Sequence, residues 1–371
     1  FTMLERIGVL GASGFVGTHL IENWHLGQKA EIVPIVRNFS SLGKIARFCL
    51  DWRIAEPTTE SLAQAFRGIH ALVHCATGDV KTIESLVTPV YKACEKAGVR
   101  RIIYLSSAAI FGQNLPLGTN DFSKVPTTHP HPYNAAKAKA EKKFFELRSK
   151  GSTELVVLRP SIVYGPRSRW LRELAQRLIS GKAWWLNNGQ GIINTIYIDN
   201  LLHAIERALL TPGEGQAFMV RDLASLSWYQ FYQPFVEALG FDMKAIQNLS
   251  PLPAHPKTLA QSLGGLPYLH TLKSYLPDRI KRIVKASLEV WNNPPSPQAP
   301  TWYLPQPRAP QVDHEMAELF SNRWTFPQTR AQELLGYAPP IRHEKAVEAC
   351  IEWLGFCGYP LSGKVGADRY S

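Results

Sequence analysis

A tyrosine and a lysine four residues apart are the side chains of this sequence best suited to proton transfer. Tyr133 and Lys137 open a helix-like stretch, and i,i+4 spacing places the phenol and the ammonium on one helix face. A free phenol has a pKa of about 10, too high for a base at neutral pH, but a fixed ammonium nearby favours the phenolate. Ser107 ends a strand-like run 26 residues earlier, where its hydroxyl could hydrogen-bond a substrate oxygen. We predict Ser107, Tyr133 and Lys137 as the catalytic residues.

A glycine-rich turn near the amino terminus predicts a dinucleotide site. Residues 6–10 form a strand-like run that leads into Gly11, Gly14 and Gly17, and a helix-like stretch follows. Glycines at a strand-to-helix turn let the backbone approach a pyrophosphate, which lies on free amides at the helix N-terminus. The spacing is GxxGxxG rather than GxGxxG, and its flanking elements favour a cofactor site over an ordinary tight turn. The cofactor-binding residues expected here are Gly11, Ser13, Gly14, Phe15, Val16 and Gly17.

The residue that follows the second predicted strand distinguishes two cofactors. A site for NAD should present Asp or Glu to the ribose about 20 residues after the glycines. This chain presents Arg37, whose guanidinium can pair with a 2′-phosphate, while Asn38, Ser40 and Ser41 could add hydrogen bonds. The sequence therefore predicts NADP(H) in preference to NAD(H), the alternative being that Arg37 is a solvated loop arginine.

Further cofactor contacts are expected where other strands end, because the carboxyl ends of parallel strands share one edge of the sheet. The residues that we predict at this edge follow the third, fourth and fifth strand-like runs: Asp51, Trp52, Cys75, Ala76, Thr77 and Ser106.

The elements that would position these residues alternate along the first half of the chain. Strand-like apolar runs occupy residues 6–10, 31–36, 47–50, 71–75, 101–105 and 154–158, with helix-like stretches between them. This alternation predicts an α/β fold with a doubly wound parallel sheet. From about residue 165, helical segments are separated by loops, and 192–198 forms another strand-like run. We predict a cofactor domain of residues 1–168 to which about 192–222 returns, and a smaller C-terminal α+β substrate lobe of residues 169–191 and 223–371.

The order of these motifs resembles the extended short-chain dehydrogenase/reductase family, in particular its NAD-dependent epimerase/dehydratase branch. Residues 158–166 (LRPSIVYGP) are similar to the family's LRP..VYGP signature, and residues 196–201 and 331–339 resemble two later elements. The resemblance implies a Rossmann-type domain, hydride transfer at a secondary alcohol or ketone, and a homodimer. It implies Tyr133 as general acid/base, Lys137 as the residue that orients the nicotinamide ribose, and Ser107 as the residue that positions substrate. It also adds Pro160, Ile162 and Val163 to the cofactor-binding residues.

The substrate class stays open at this point. A nucleotide-linked sugar is favoured, with Arg167, Arg169 and Arg172 as candidates for its pyrophosphate, or else as part of a solvated basic helix. Ala108 and Ala109 stand where a dehydratase of the family usually has an acidic pair, which argues against 4,6-dehydration. The alternative enzyme resembles the 3β-hydroxysteroid dehydrogenase or dihydroflavonol reductase branches, which act on an apolar ring. A non-catalytic NADP-sensing protein is a third alternative.

Composition and charge bear on three other classes of protein: nucleic-acid-binding proteins, metalloproteins and membrane or secreted proteins. The net charge of +11 is spread along the 371 residues without a nucleic-acid motif, which favours an anionic small ligand over nucleic acid. The five cysteines are scattered and lack zinc-site spacing, so no metal is predicted. Since no run of about 18 uncharged apolar residues and no signal-peptide pattern occurs, we expect a cytoplasmic protein without a transmembrane helix.

Two segments fit none of these motifs. Residues 269–288 combine apolar positions at helical spacing with a basic face. A helix packed on the lobe or at a subunit contact is favoured there over a membrane-surface helix or a mobile lid. Residues 294–310 contain seven prolines and are predicted to form a strap without helix or central strand.

Overall fold

A parallel sheet forms the centre of the fold. The computed structural model describes residues 4–249, 308–310 and 312–362. The strands within these ranges are β1 (Leu4–Leu10), β2 (Ala30–Val36), β3 (Arg53–Ile54), β4 (Ala71–His74), β5 (Arg101–Leu105), β6 (Glu154–Pro160), β7 (Ile162–Tyr164), β8 (Trp184–Trp185), β9 (Ile192–Ile193), β10 (Thr195–Tyr197), β11 (Gln216–Val220), β12 (Leu226–Ser227) and β13 (Gln247–Asn248).

Helices connect most of these strands. In chain order the described ones are α1 (Phe15–Leu26), α2 (Thr59–Ala65), α3 (Val80–Ser85), α4 (Val87–Ala97), α5 (Pro132–Arg148), α6 (Arg169–Ile179), α7 (Ile198–Leu210), α8 (Trp228–Ala238), α9 (His314–Ser321), α10 (Thr329–Leu335) and α11 (His343–Phe356). Apolar residues of α1, α7 and α10 join the core on one face of the sheet, and those of α2, α4 and α5 join the core on the other. Because both faces are covered, strands such as β4 and β5 are buried at every position.

The strand order places a ligand crevice at one point of the sheet. Seven strands pair in the order β11-β6-β5-β4-β1-β2-β3, and every pair is parallel. The chain moves outward from β1 in one direction to β2 and β3, and in the other to β4, β5 and β6. Ligands of such sheets bind where the order reverses, outside the carboxyl ends of the strands. The predicted doubly wound, Rossmann-type α/β fold is confirmed, with its crevice beside β1 and β4.

Two of the strands predicted from the sequence are wrong. Residues 47–50 form a turn followed by irregular backbone, because Phe48 and Leu50 pack against the core at the sheet edge instead of pairing with β2. Residues 192–198 are divided into β9, β10 and the start of α7. β9 pairs with β12 and β10 pairs with β7, so neither joins the main sheet. Within the segment 192–222 that was expected to return, β11 is the part that does so.

A second apolar core lies in the lobe. It joins residues of α6, α8, α9 and α11 with the buried pair Trp184 and Trp185. This pair is the short strand β8, which pairs with β13. Because the residues after β7 pack in this second core, they have a defined position from which they can line a cavity above the sheet edge.

Two sequence predictions fall outside the described residues. The basic segment 269–288 lies there, as does the proline-rich segment 294–310 apart from residues 308–310, where Arg308 N donates to Gly181 O at 2.9 Å. Within the described ranges, no helix is long and apolar enough to cross a membrane.

Candidate active site

The turn that joins β1 to α1 has a backbone geometry that requires glycine at two positions, Gly11 and Gly17. Gly11 has φ +92°, and a Cβ there would stand 2.5 Å from the Ala76 nitrogen. A Cβ on Gly17 would stand 2.3 Å from the Gly11 carbonyl oxygen. Gly14 is the N-cap of α1 and no side chain caps the helix, so its first amides stay available to an anion.

Cys75, Ala76 and Thr77 follow β4 at the same edge, beside the glycine turn. The Cys75 thiol donates to Leu10 O at 3.3 Å, and burial raises its pKa to about 12. Cys75 and Thr77 line the cavity described below, while the Ala76 backbone closes against Gly11. At this pKa the thiol stays protonated at neutral pH, which argues against Cys75 as a nucleophile.

The position predicted for Asp51 and Trp52 is wrong. β3 starts at Arg53, so both residues precede this strand instead of following it. The Asp51 carboxylate accepts hydrogen bonds from Arg53 Nη2 at 2.8 Å and from Arg6 in the first half of β1, far from the carboxyl edge. Trp52 is 46% exposed and packs edge-to-face on Phe39. Ala55 and Glu56 are the residues that follow β3.

Arg37 directly follows β2 at the carboxyl edge and is exposed. Asn38 does not extend toward a ligand as expected, because its Oδ1 accepts hydrogen bonds from Ser41 N at 3.1 Å and from the hydroxyls of Ser40 and Ser41, both at 2.8 Å. Sequence reasoning missed Lys44, whose Nζ donates to Ser13 O of the glycine turn at 3.2 Å. Lys44 reaches this position through a helical turn at Phe39–Lys44, which gives no strong sequence signal.

The three predicted catalytic residues lie close together where the start of α5 packs beside the end of β5. Tyr133 and Lys137 lie in the first turns of α5, which has Pro132 at its first position. Ser107 follows β5, and its Oγ accepts a hydrogen bond from Ala109 N at 3.1 Å. Lys137 is 1% exposed, and its Nζ donates to Leu105 O at 2.8 Å.

The phenol of Tyr133 is held in its neutral form. The side chain borders an open cavity and keeps 37% of its surface exposed. Burial of the phenol oxygen and the nearby Glu315 carboxylate raise the pKa of Tyr133 to about 12, while a hydrogen bond with Ser107 lowers it. Burial lowers the pKa of Lys137 to about 8, against the raising effects of Cys75 and Glu141. Lys137 is therefore charged over most of the neutral range.

A cavity of about 550 Å³ joins these groups to the lobe. The predicted residues that line it are Gly14, Phe15, Val16, Cys75, Thr77, Ser106, Ser107, Tyr133, Lys137, Pro160, Ile162, Val163 and Arg169. Its outer wall is contributed by residues that sequence reasoning missed: Gln113, Leu115, Trp170, Asn194, Trp228, Glu315, Leu319, Asn322 and Phe326. These residues come from separate parts of the chain and share no local motif, so only the fold brings them together.

The three candidate arginines have different surroundings. Arg167 does not line the cavity, because its Nη2 pairs with Glu22 Oε2 of α1 at 2.7 Å. Arg172 is exposed on α6 and does not line it either. Arg169 does line it and also pairs with Glu173 at 3.0 Å. Among the described residues, no group of three His, Cys, Asp or Glu side chains is placed to hold a metal.

The residues present fit a dinucleotide. The glycine turn offers backbone amides where any larger residue would clash, at the point where the strand order reverses. Ser106 and Ser161 line the cavity, and the buried Oγ of each has no hydrogen-bond partner among the described residues. A buried hydroxyl without a partner is unfavourable, so these two groups favour a polar ligand at the inner end of the cavity.

Comparisons with known proteins agree with this geometry. Residues 7–220 match the sequence model of the NAD dependent epimerase/dehydratase family. The chain is 22% identical, over 93% of its length, to 3beta-hydroxysteroid-dehydrogenase/decarboxylase isoform 1 of Arabidopsis thaliana, of which it spans 78%. It spans 61% of isoforms 2 and 3 of the same plant.

Solved structures resemble the fold over almost the whole chain. UDP-glucose 4-epimerase of Thermotoga maritima, solved with UDP-glucose, superposes with a TM-score of 0.65 at 17% identity and covers 95% of this chain and 99% of its own. A dTDP-glucose 4,6-dehydratase of Bacillus anthracis, solved with NAD, gives a TM-score of 0.68 at 13% identity, covering 95% and 97%. With the family match over more than half of the chain, these likenesses lead to one conclusion: this protein belongs to the NAD dependent epimerase/dehydratase family of enzymes.

Proposed function

We propose that this protein transfers hydride at a secondary alcohol or ketone of a nucleotide-linked sugar, as an NADP(H)-preferring oxidoreductase or epimerase. The observation that carries the proposal is the meeting of Ser107, Tyr133 and Lys137 at a cavity whose inner end is the glycine turn. A dinucleotide bound there would supply or accept the hydride. The protein has to hold the substrate oxygen and move its proton.

Tyr133 and its neighbours are suited to that proton transfer. Because the pKa of Tyr133 is about 12, the phenol carries its proton at neutral pH and can donate it to a carbonyl oxygen. In the opposite direction, Tyr133 must first lose its proton, and the Oη of its phenolate then accepts the proton of the substrate hydroxyl. Ser107 holds the substrate oxygen beside the phenol, and Lys137 is fixed by its bond to Leu105 O. Substituting Tyr133 with Phe should abolish turnover, whereas a non-catalytic sensing protein would keep its function.

The polarity of the outer wall supports a sugar. Gln113, Asn194 and Asn322 line the cavity, and the buried Oδ1 of Asn194 has no hydrogen-bond partner among the described residues. An apolar ring would leave this oxygen unpaired, at a cost of about 1–3 kcal/mol. Sugar hydroxyls can donate to it.

An alcohol on an apolar ring is the second candidate substrate, and one observation favours it. Trp170, Trp228, Leu319 and Phe326 form an apolar part of the same wall. The plant relatives named above are 3beta-hydroxysteroid-dehydrogenase/decarboxylases.

Thermal unfolding separates the two candidates. The purified protein is melted with saturating NADPH, alone and with UDP, dTDP, GDP or CDP. A ligand that binds only the folded state at 100 times its Kd stabilises it by about 2.7 kcal/mol. A further rise in midpoint with one nucleotide supports the sugar-nucleotide proposal. An NADPH shift with no response to any nucleotide contradicts it and favours the apolar alcohol or ketone.

The preference for NADP(H) rests on two cations near the glycine turn, Arg37 and Lys44. The exposed Arg37 directly follows β2, and Lys44 Nζ donates to Ser13 O at 3.2 Å. An arginine bond to a phosphate contributes about 1.5–3 kcal/mol, or roughly 10–100-fold in Kd. Arg37→Ser should therefore weaken NADPH binding by this factor and leave NADH binding unchanged, while Lys142→Ser on exposed α5 surface changes neither. Equal effects on both cofactors would contradict the preference.

A cytoplasmic homodimer completes the proposal. All five cysteines are free thiols, which suits a reducing compartment. The oligomeric state is measured by light scattering of the purified protein, and a monomer at working concentration would contradict the dimer.

A further inference from the structure

A carboxylate from the lobe lies in the cavity beside the predicted catalytic tyrosine. Glu315 is the second residue of α9, and its backbone N donates to the N-cap Asp313 at 3.0 Å. Its Oε1 accepts a hydrogen bond from Gln113 Nε2 at 2.6 Å. Gln113 Nε2 is also 3.5 Å from Oδ1 of the buried Asn134, the neighbour of Tyr133. Glu315 is thus held by a neutral amide in the wall that also contains Tyr133.

Among the described residues, no cation is within ion-pair distance of Glu315, and Arg177 and Lys182 line a second cavity that Glu315 also borders. The two cations that line the cavity are Lys137 and Arg169. Lys137 donates to Leu105 O behind the tyrosine, and Arg169 pairs with Glu173 at 3.0 Å. On the same helix, Glu318 pairs instead with His131 at 2.9 Å. The negative charge of Glu315 reaches the reacting phenol, because the carboxylate is among the groups that raise the pKa of Tyr133.

We infer that Glu315 selects the substituent next to the reacting carbon of the substrate. A hydroxyl or amino group there can donate a charge-assisted hydrogen bond to the carboxylate. A substrate carboxylate at the same place would face a like charge in a partly dehydrated cavity and be disfavoured by about 10–100-fold. The inference rests on the proposed function and narrows its substrates to neutral or cationic sugars.

A pair of substrates that differ in one group tests this selection. UDP-glucose and UDP-glucuronic acid share the nucleotide and differ in whether a hydroxymethyl or a carboxylate is attached to C5. The kcat/KM of each is measured for the wild type, for Glu315→Gln and for the control Glu318→Gln on the same helix. We expect the wild type to prefer UDP-glucose and Glu315→Gln to raise the relative kcat/KM of UDP-glucuronic acid by about 10–100-fold. Glu318→Gln should leave the ratio unchanged.

The possible results separate the inference from the proposed function. A ratio that Glu315→Gln leaves unchanged, or a wild type that prefers the acid, overturns the inference. If the wild type turns over neither nucleotide sugar and no nucleotide raises its midpoint in the melting experiment, the proposed substrate class fails. The same comparison is then made with cyclohexanol and 2-hydroxycyclohexanecarboxylate, which differ in a carboxylate next to the reacting carbon. A shift of that ratio in Glu315→Gln alone supports the inference, and no shift, or no turnover of either alcohol, rejects it.

Discussion

The buried ion pair between Arg159 and Glu141 gives a prediction that can be worked from the structure. The side chains are 7% and 5% exposed, and Arg159 Nε lies 3.1 Å from Glu141 Oε1. Arg159 Nη1 also donates to Asp121 O at 3.1 Å. The pair connects β6, just before Pro160 at the cavity, to α5 one turn after Lys137. Glu141→Gln removes the charge that compensates a buried guanidinium.

Glu141→Gln is expected to lower the free energy of unfolding by a large amount for a single substitution. Breaking a buried ion pair from one side costs about 3–5 kcal/mol because the remaining charge stays buried without its partner. Unfolding entropy of about 2.1 cal/mol/K per residue gives roughly 0.8 kcal/mol/K for a chain of 371 residues. The midpoint of thermal unfolding, followed by calorimetry, should therefore fall by about 4–6 °C if the chain unfolds in one step.

Two controls make this result decisive. Glu348→Gln breaks an ion pair with Lys345 whose side chains are 56% and 75% exposed, and we expect its midpoint to match the wild type. The double variant Glu141→Leu with Arg159→Met replaces both charges by apolar groups and should recover much of the loss. A midpoint for Glu141→Gln equal to that of Glu348→Gln would refute the argument that burial makes this pair costly to break.

Two further predictions concern the glycine turn and acid stability. Gly17→Ala should abolish NADPH binding in a titration, since its Cβ would lie 2.3 Å from Gly11 O, whereas Gly43→Ala has open space and should bind as the wild type does. Burial lowers the pKa of His74 to about 3, so below pH 6.5 the unfolded chain binds a proton that the folded chain does not. Stability should therefore fall with acidity, by about 2 kcal/mol at pH 5 from this group, and denaturant titrations of His74→Phe should show a smaller loss between pH 7 and pH 5. Equal losses in both proteins would contradict this role of His74.

Much of the fold and part of the candidate site were predictable because their signals are local. Apolar runs bounded by turns identify strands buried on both faces, which is why β1, β2, β4, β5 and β6 were found. The glycine turn and the Tyr133–Lys137 pair each depend on a few neighbouring residues, whose spacing sets their geometry. Gly98 ends α4 by a similarly local signal, a glycine in the left-handed region with φ +74°.

The short elements escaped prediction because pairing, not composition, defines them. β3 is two residues long, and the apolar residues before it cover the sheet edge, so Asp51 was placed on the wrong side of the strand. β9 and β10 were taken for one strand, since only the fold divides them between two different partners.

Local sequence motifs specify the cofactor crevice, whereas the residues on the substrate side are brought together only by the tertiary fold. The residues of the crevice directly follow strands or begin helices, and the order of these elements can be read from the sequence. Glu315 and Gln113 are 202 positions apart, and Arg167 meets Glu22 across 145 positions. Such contacts depend on how the lobe packs on the sheet, a balance of many weak interactions that no short motif encodes. The position of the Glu315 carboxylate in the cavity is therefore visible only once the chain is folded.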